Sequence, residues 1–137
     1  MPRLPRALSL FILACLFTAG CEGFTEYFRE PPAVVWIKSI DKVAGKWEGP
    51  AKQLLPEKQS AGSAVLTIEN DGDYKLTDKA GKLSDAGKLK LRGGRGVSET
   101  KERETLVSLY GEKEQWIGVD VTLHTGERYY IEMKRTK

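Results

Sequence analysis

From residue 63 onward, short runs of alternating apolar and polar residues are separated by turn-forming residues, and this pattern constrains the fold most strongly. The run 63–69 is followed by residues 70–73 (Asn-Asp-Gly-Asp), in which Asp-Gly favours a tight hairpin. Later turns are indicated at 93–96 and at 124–127. Because a period of two indicates strands that are half buried against a core, we expect an all-β domain. Sequential hairpins favour a small antiparallel up-and-down β-barrel of about eight strands.

The apolar positions of these strands form one set that faces inward. Their side chains are bulky enough to fill a barrel of this size, which is only just wide enough for its own side chains or one small ligand. Residues 51–62 show no alternation and are expected to form a loop. The predicted inward residues are Trp47, Leu66, Ile68, Tyr74, Leu76, Leu89, Leu91, Ile117, Val119, Val121, Ile131 and Met133.

The first 20 residues have the layout of a secretory signal peptide. Arg3 and Arg6 form a positive region, residues 7–17 form an apolar run, and residues 18–20 are small. The apolar run is eleven residues long, whereas a helix that spans a bilayer needs roughly 20. The segment is therefore predicted to direct export and to be removed.

Cys21, which follows Ala19 and Gly20, resembles the conserved cysteine of the lipobox in bacterial lipoproteins. The resemblance implies that a diacylglycerol is joined to the Cys21 sulfur, that the chain is cut before Cys21, and that the new amine is acylated with palmitate or a similar chain. Several acyl chains hold a protein on a membrane stably. The alternative is an ordinary secreted protein whose signal happens to end near a cysteine.

This resemblance divides the chain into a signal peptide (1–20), a lipid-anchored tether (21–38) and a barrel domain (39–137). The implied location is the cell envelope. Lipoproteins retained at the inner membrane commonly carry Asp after the lipidated cysteine, whereas this chain has Glu22. In a host with two membranes, the resemblance therefore implies the periplasmic face of the outer membrane.

Charge and cysteine content narrow the function and the fold further. The chain has 22 Lys and Arg against 19 Asp and Glu, and losing Arg3 and Arg6 with the signal leaves 20 against 19. Such a balance argues against nucleic-acid binding. Cys15 lies in the signal and Cys21 would carry lipid, so the domain is expected to have no disulfide. Its core alone must then stabilise it.

The segment Gly45-Lys46-Trp47, which follows a short predicted helical turn, resembles the start of a lipocalin-like or calycin barrel. In that superfamily, a basic residue from the last strand packs across the tryptophan and closes the barrel end. The resemblance assigns this role to Arg135, because Arg135 shares a predicted strand face with Ile131 and Met133. It also implies a small or lipidic ligand.

We expect no catalytic residue, no cofactor and no metal site. His124 is the only histidine and lies in a predicted hairpin turn, where side chains are usually solvated. With no second histidine and no free cysteine, zinc and copper patterns are missing. The glycines of 93–96 lack the Gly-Lys-Ser/Thr ending of a phosphate loop and indicate a turn. Nearby Lys88, Lys90, Arg92 and Arg95 are expected to form one basic face, which is either a solvated face whose lysines discourage aggregation or, as a weaker alternative, a contact for anionic lipid or glycan.

Trp116 falls opposite the apolar stripe of its own strand, so we expect it either to be exposed for a partner or to be covered by the tether residues 34–37.

The sequence as a whole predicts a membrane-anchored envelope lipoprotein that acts as a non-enzymatic binding module for a small hydrophobic ligand or a protein partner. Two alternatives stay open. One is an inhibitor of an envelope hydrolase, such as a protease or lysozyme, and the other is a structural or assembly accessory lipoprotein.

Overall fold

The computed structural model describes residues 32–81 and 83–137. The predicted signal peptide, the predicted lipidation site Cys21 and residues 21–31 of the predicted tether lie outside the described residues. The part from Pro32 to Lys137 forms one compact unit. It therefore contains the whole predicted barrel domain together with the end of the predicted tether.

Antiparallel strands make up most of this unit. A 3-10 helix at Ile40–Lys42 precedes the second strand, and none of the helical structure in the described part is long and apolar enough to cross a bilayer. The strands are β1 (Val34–Val35), β2 (Gly45–Leu55), β3 (Gln59–Ile68), β4 (Asp73–Asp78), β5 (Ser84–Lys88), β6 (Lys90–Arg92), β7 (Arg95–Glu99), β8 (Arg103–Tyr110), β9 (Trp116–Leu123) and β10 (Arg128–Arg135).

These strands form one sheet in the order β5-β4-β3-β2-β10-β9-β8-β7-β6, and β1 pairs with β8. The sheet curls until it is nearly closed, which confirms the predicted small antiparallel barrel, the architecture that the lipocalin-like resemblance implies. The described residues form ten strands where the sequence predicts about eight. The difference arises because two tether residues pair as β1 and because one long strand is divided at Leu89 into β5 and β6.

The kink at Leu89 brings the two ends of the sheet together. Before the kink, β5 pairs with β4 from Asp73↔Lys88 to Thr77↔Ser84. After it, β6 pairs with β7, with Lys90 opposite Val97. A single kinked strand thus passes from one edge of the sheet to the other. Its first half has a backbone ladder on one side only, which leaves a seam between β5 and β8.

The prediction of a loop over residues 51–62 is wrong. β2 continues to Leu55, a short turn follows, and β3 begins at Gln59. The alternation is difficult to recognise because its core-facing residues are small: Ala51 is 1% exposed and Ala61 packs partly buried against the core. A register shift between Pro50 and Lys52 further breaks the period of two.

The barrel interior is filled by side chains. Eleven of the twelve predicted inward residues are buried, whereas Leu91 is 37% exposed because β6 ends the ladder and has a strand neighbour on only one side. Six large residues of the predicted inward set each have less than 2% of their surface exposed. These six are Trp47, Leu66, Leu76, Ile117, Ile131 and Met133. The barrel therefore has a packed core, as expected for about eight strands.

Candidate binding surface

The structure brings the predicted closing residues Trp47 and Arg135 together at one end of the barrel. The guanidinium carbon of Arg135 lies 4.3 Å from the centroid of the Trp47 ring, in a cation–π arrangement. The indole Nε1 of Trp47 donates to the carbonyl oxygen of Val43 at 2.8 Å. Arg135 donates through Nη2 to the carbonyl oxygen of Lys42 at 3.0 Å and through Nη1 to that of Ala44. The last strand and the 3-10 turn are thereby joined around one indole ring.

Gly45 explains why a glycine precedes this tryptophan by two positions. Its φ of 124° lies in a region that favours glycine, and a Cβ there would stand 2.8 Å from Nη1 of Arg135. Any larger residue would strain the backbone and displace the guanidinium. The Gly-x-Trp pattern is therefore a packing requirement of this barrel end.

A buried carboxylate that the sequence analysis missed fills the seam between β5 and β8. Asp85 is 3% exposed and accepts hydrogen bonds from the Tyr74 hydroxyl at 2.8 Å and from Thr105 Oγ1 at 2.6 Å. Its other oxygen forms an ion pair with Nε of Arg103, whose Nη2 donates to the carbonyl of Ala86. Side chains thus make the connection that a backbone ladder makes elsewhere in the sheet.

A weak sequence signal for this cluster existed. Asp85 lies four residues before Leu89, which is a predicted inward position. Because side chains of a strand alternate between its two faces, Asp85 is also expected to face inward. The register places Asp85 opposite Leu76, which is a core residue. A charged residue at an inward position usually needs a partner, but nothing in the local sequence identifies Arg103, 18 residues away, as that partner.

His124 is exposed in the turn between β9 and β10, as a hairpin position should be. Its backbone N–H donates to the carbonyl of Glu102 at 2.8 Å, which ties the turn to the β7–β8 connection. A cleft of about 500 Å³ lies beside it, lined by groups of both charges that include Arg103 and Glu104. Across residues 32–81 and 83–137, no group of three or more His, Cys, Asp or Glu side chains is arranged to hold a metal ion.

Trp116 belongs to an aromatic cluster on the outer face of the barrel. Its ring stacks on Tyr110, with the centroids 4.3 Å apart and the planes inclined by 18°. Gly118 lies beneath the cluster, and a Cβ there would stand 2.9 Å from Oη of Tyr130 and 3.0 Å from Cε2 of Tyr110. The missing side chain lets the tyrosine rings lie against the sheet. We call Tyr110, Trp116 and Tyr130 the aromatic surface.

The end of the tether lies beside the aromatic surface. Val34 pairs with Tyr110 and Val35 with Leu109, so β1 extends the sheet next to β8, whereas Trp116 lies on β9. Val35 packs against the core, whereas Val34 is 55% exposed. Trp116 is half-buried and keeps part of its ring accessible. The tether segment is therefore one strand away from Trp116, at the flank of the aromatic surface.

A groove of about 320 Å³ borders the accessible side of Trp116. Pro50 and Trp116 contribute apolar wall, and Glu48, Glu132 and Lys134 contribute charged groups. Cross-strand pairing places Glu48, Lys134, Trp116 and Tyr110 in one row across four strands. The groove therefore offers an apolar slot bordered by both charges. We refer to it as the Trp116 groove, and its lining is Glu48, Gly49, Pro50, Trp116, Glu132, Met133 and Lys134.

Partial burial of Tyr130 affects its ionisation. The pKa of the Tyr130 phenol is raised to about 12, mainly because the ring is partly removed from water. The electrostatic effects of Tyr110, Glu132 and Asp120 contribute less in the same direction. The hydroxyl is therefore neutral at physiological pH. It can donate a hydrogen bond to a partner without bringing a charge into the contact.

Comparison with protein-family models, with curated proteins and with solved structures found no match to this chain. Its fold is nevertheless clear from the sheet itself, an antiparallel barrel with a filled interior. The chemistry offered to a ligand is that of its outer face, where stacked aromatic rings border a groove with charges of both signs.

Proposed function

We propose that this protein is a lipid-anchored lipoprotein of the bacterial envelope whose barrel binds a protein partner through the aromatic surface. The observation that carries the proposal is the stacked Tyr110–Trp116 pair on the outside of a barrel whose inside is filled. Tyrosine and tryptophan are enriched among the residues that contribute most to protein–protein binding. Binding without catalysis fits these residues best, which makes an assembly or accessory role the closest form of this function.

A small hydrophobic ligand held inside the barrel is a weaker alternative. Trp47, Leu66 and Leu76 occupy the interior and are fully buried. Ligand pockets are typically concave cavities of roughly 300–1,000 Å³. The Trp116 groove, at about 320 Å³, lies at the lower limit and is open to the surface. It is better suited to receive one or two side chains of a partner.

Inhibition of an envelope hydrolase is also a weaker alternative. Inhibitors that plug an active-site cleft present an extended loop, whereas from β2 onward no described connection is longer than five residues. The connections of five residues are 79–83 and 111–115. Connections of this length offer no extended loop for insertion into a cleft, which favours a contact made by a strand face.

The anchoring part of the proposal rests on the lipobox-like sequence around Cys21. Replacing Cys21 by Ser is expected to abolish lipid attachment and move the protein from the membrane to the soluble fraction of its host. Membrane fractionation and mass spectrometry of the peptide that contains residue 21 measure this. Cys15→Ser is the matched control, since Cys15 belongs to the removed signal, and it should leave attachment intact. A Cys21→Ser protein that stays on the membrane without lipid would refute the anchor.

Replacing Trp116 by Ala is expected to weaken partner binding at least tenfold, because truncating a hot-spot residue typically costs 2 kcal/mol or more, about thirtyfold. Native mass spectrometry of the protein purified from its host identifies the stoichiometric partner, and titration calorimetry then measures the affinity. Thr67→Ala, an exposed change on β3, serves as the control and should bind normally. Undiminished affinity in Trp116→Ala, or a small molecule retained in the barrel, would contradict the proposal.

A further inference from the structure

A second exposed tryptophan lies at the point where the chain enters the barrel. Trp36 is 65% exposed, although a neighbouring backbone bond holds its position: the N–H of Ile37 donates to the carbonyl of Gly94 at 2.9 Å. The indole lies so close over Gly94 that a Cβ at that position would overlap the ring. One face of the indole therefore rests on the β6–β7 turn, and most of the ring is left in water.

The same turn carries two arginines in an unfavourable arrangement. Arg92 and Arg95 are directly opposed across the hairpin, and like charges in that relation destabilise a sheet. Arg92 is compensated by Glu99, whose carboxylate lies 2.9 Å from its guanidinium. For Arg95, the described residues provide no ion pair within 4.0 Å. Arg95 lowers the stability of its own hairpin, which indicates that its positive charge has a role outside the fold.

These side chains face one groove on the outer surface. The groove is lined by Val34 and Trp36 together with the two arginines, and it continues along β7 and β8 to the cross-strand pair Glu99 and Glu104. Within this groove Arg92 is already paired with Glu99, so the positive charge left over is that of Arg95 at the β6–β7 turn. We call Val34, Trp36, Arg92 and Arg95 the Trp36 surface.

We propose that the Trp36 surface rests on an anionic phospholipid bilayer. Tryptophan is favoured at the membrane–water interface, and arginines near an anionic bilayer are attracted to its phosphates and can donate paired hydrogen bonds to them. The β6–β7 turn orients this contact, because Trp36 lies over Gly94 of the turn and Arg95 lines the same groove. Lys38 and Lys90, both exposed nearby, add to the positive charge.

The position of the chain entry supports this occupant. The described chain begins at Pro32, two residues before Val34, and Cys21 precedes Pro32 by eleven residues. Eleven residues span at most about 40 Å even when fully extended. A lipid on Cys21 would therefore keep the Trp36 surface within reach of the bilayer. The inference rests on the proposed anchor for this proximity, whereas the affinity of the surface for lipid can be measured without it.

The test uses the chain from residue 21 with Cys21→Ser, which has no acyl chain and contains the whole compact unit Pro32–Lys137. Co-sedimentation is measured with phosphatidylcholine vesicles, with and without phosphatidylglycerol. We expect binding that requires the anionic lipid. Arg95→Gln should weaken it about fivefold, and Trp36→Ala at least tenfold. Circular dichroism checks that both variants are folded, as their exposed positions predict.

Trp116→Ala is the matched control, because it should bind vesicles normally while losing the protein partner. The reverse pattern, in which Trp36→Ala binds vesicles normally but loses the partner, would overturn the lipid assignment in favour of a protein contact. Equal binding to vesicles with and without the anionic lipid, or no binding to either, would also overturn it. Failure of the Trp116 prediction alone would affect only the proposed partner surface.

Discussion

Replacing Asp85 by Ala is expected to lower the free energy of unfolding by about 3–5 kcal/mol, the typical cost of removing one partner from a buried ion pair. The change leaves Arg103, only 18% exposed, without its carboxylate. It also removes the acceptor of the Tyr74 and Thr105 hydroxyls, both of which are buried. Urea unfolding followed by circular dichroism measures the loss.

Two variants separate this effect from a general cost of removing charge. Asp73→Ala breaks an exposed pair with Lys88, in which the side chains are 59% and 57% exposed, and should cost less than about 1 kcal/mol. The double variant Asp85→Leu with Arg103→Met should be more stable than Asp85→Ala, because it leaves no buried charge without a partner. An Asp85→Ala protein as stable as Asp73→Ala would show that the seam does not depend on this carboxylate.

Replacing Trp47 by Ala is expected to destabilise the protein by about 3–5 kcal/mol, the range for truncating a buried tryptophan to alanine. Trp47 is fully buried, so its removal leaves a cavity at the barrel end. It also removes the ring that Arg135 covers and the donor to the Val43 carbonyl. Thermal and denaturant unfolding measure the loss, and Trp47→Phe should lose less because a ring remains.

Trp36→Ala provides the matched comparison, since the same side chain is deleted from a position that is 65% exposed. We expect its stability to change by less than about 1 kcal/mol. A double-mutant cycle of Trp47→Phe with Arg135→Met measures how strongly the ring and the guanidinium are coupled. Equal losses for Trp47→Ala and Trp36→Ala would be incompatible with Trp47 closing the barrel.

The barrel could be predicted from the sequence because most strands after residue 63 alternate clearly and their turns carry recognisable residues. Strands such as Trp116–Leu123 have one buried face, so apolar residues recur at every second position. The turn that contains Asp71 and Gly72 is recognisable for a different reason. Gly72 has a φ of 98°, which few residues other than glycine tolerate. Both signals are local, and local signals are what a single sequence reports well.

The seam and the Trp36 surface could not be predicted because they depend on pairs that are distant in sequence, and of the aromatic surface the sequence indicated only Trp116. Arg103 belongs to a run of polar residues typical of a solvated loop, and only the closed sheet places it next to Asp85. Leu91 follows the alternation of inward residues, but it lies on a three-residue strand at the edge of the sheet. The stack of Tyr110 on Trp116 follows from the register of β8 and β9, which a sequence pattern does not specify.

The pairing of β2 with β10 has a consequence for the order in which the barrel forms. All ladders other than β1–β8 and β2–β10 join strands that follow one another in the chain. Each of these ladders can form as soon as both of its strands are available. β2–β10 instead joins residues such as Trp47 and Arg135, and closing so long a loop is entropically costly and slow. Two meanders can therefore assemble independently, and β2 keeps an open edge until residues 128–135 have been synthesised or exported.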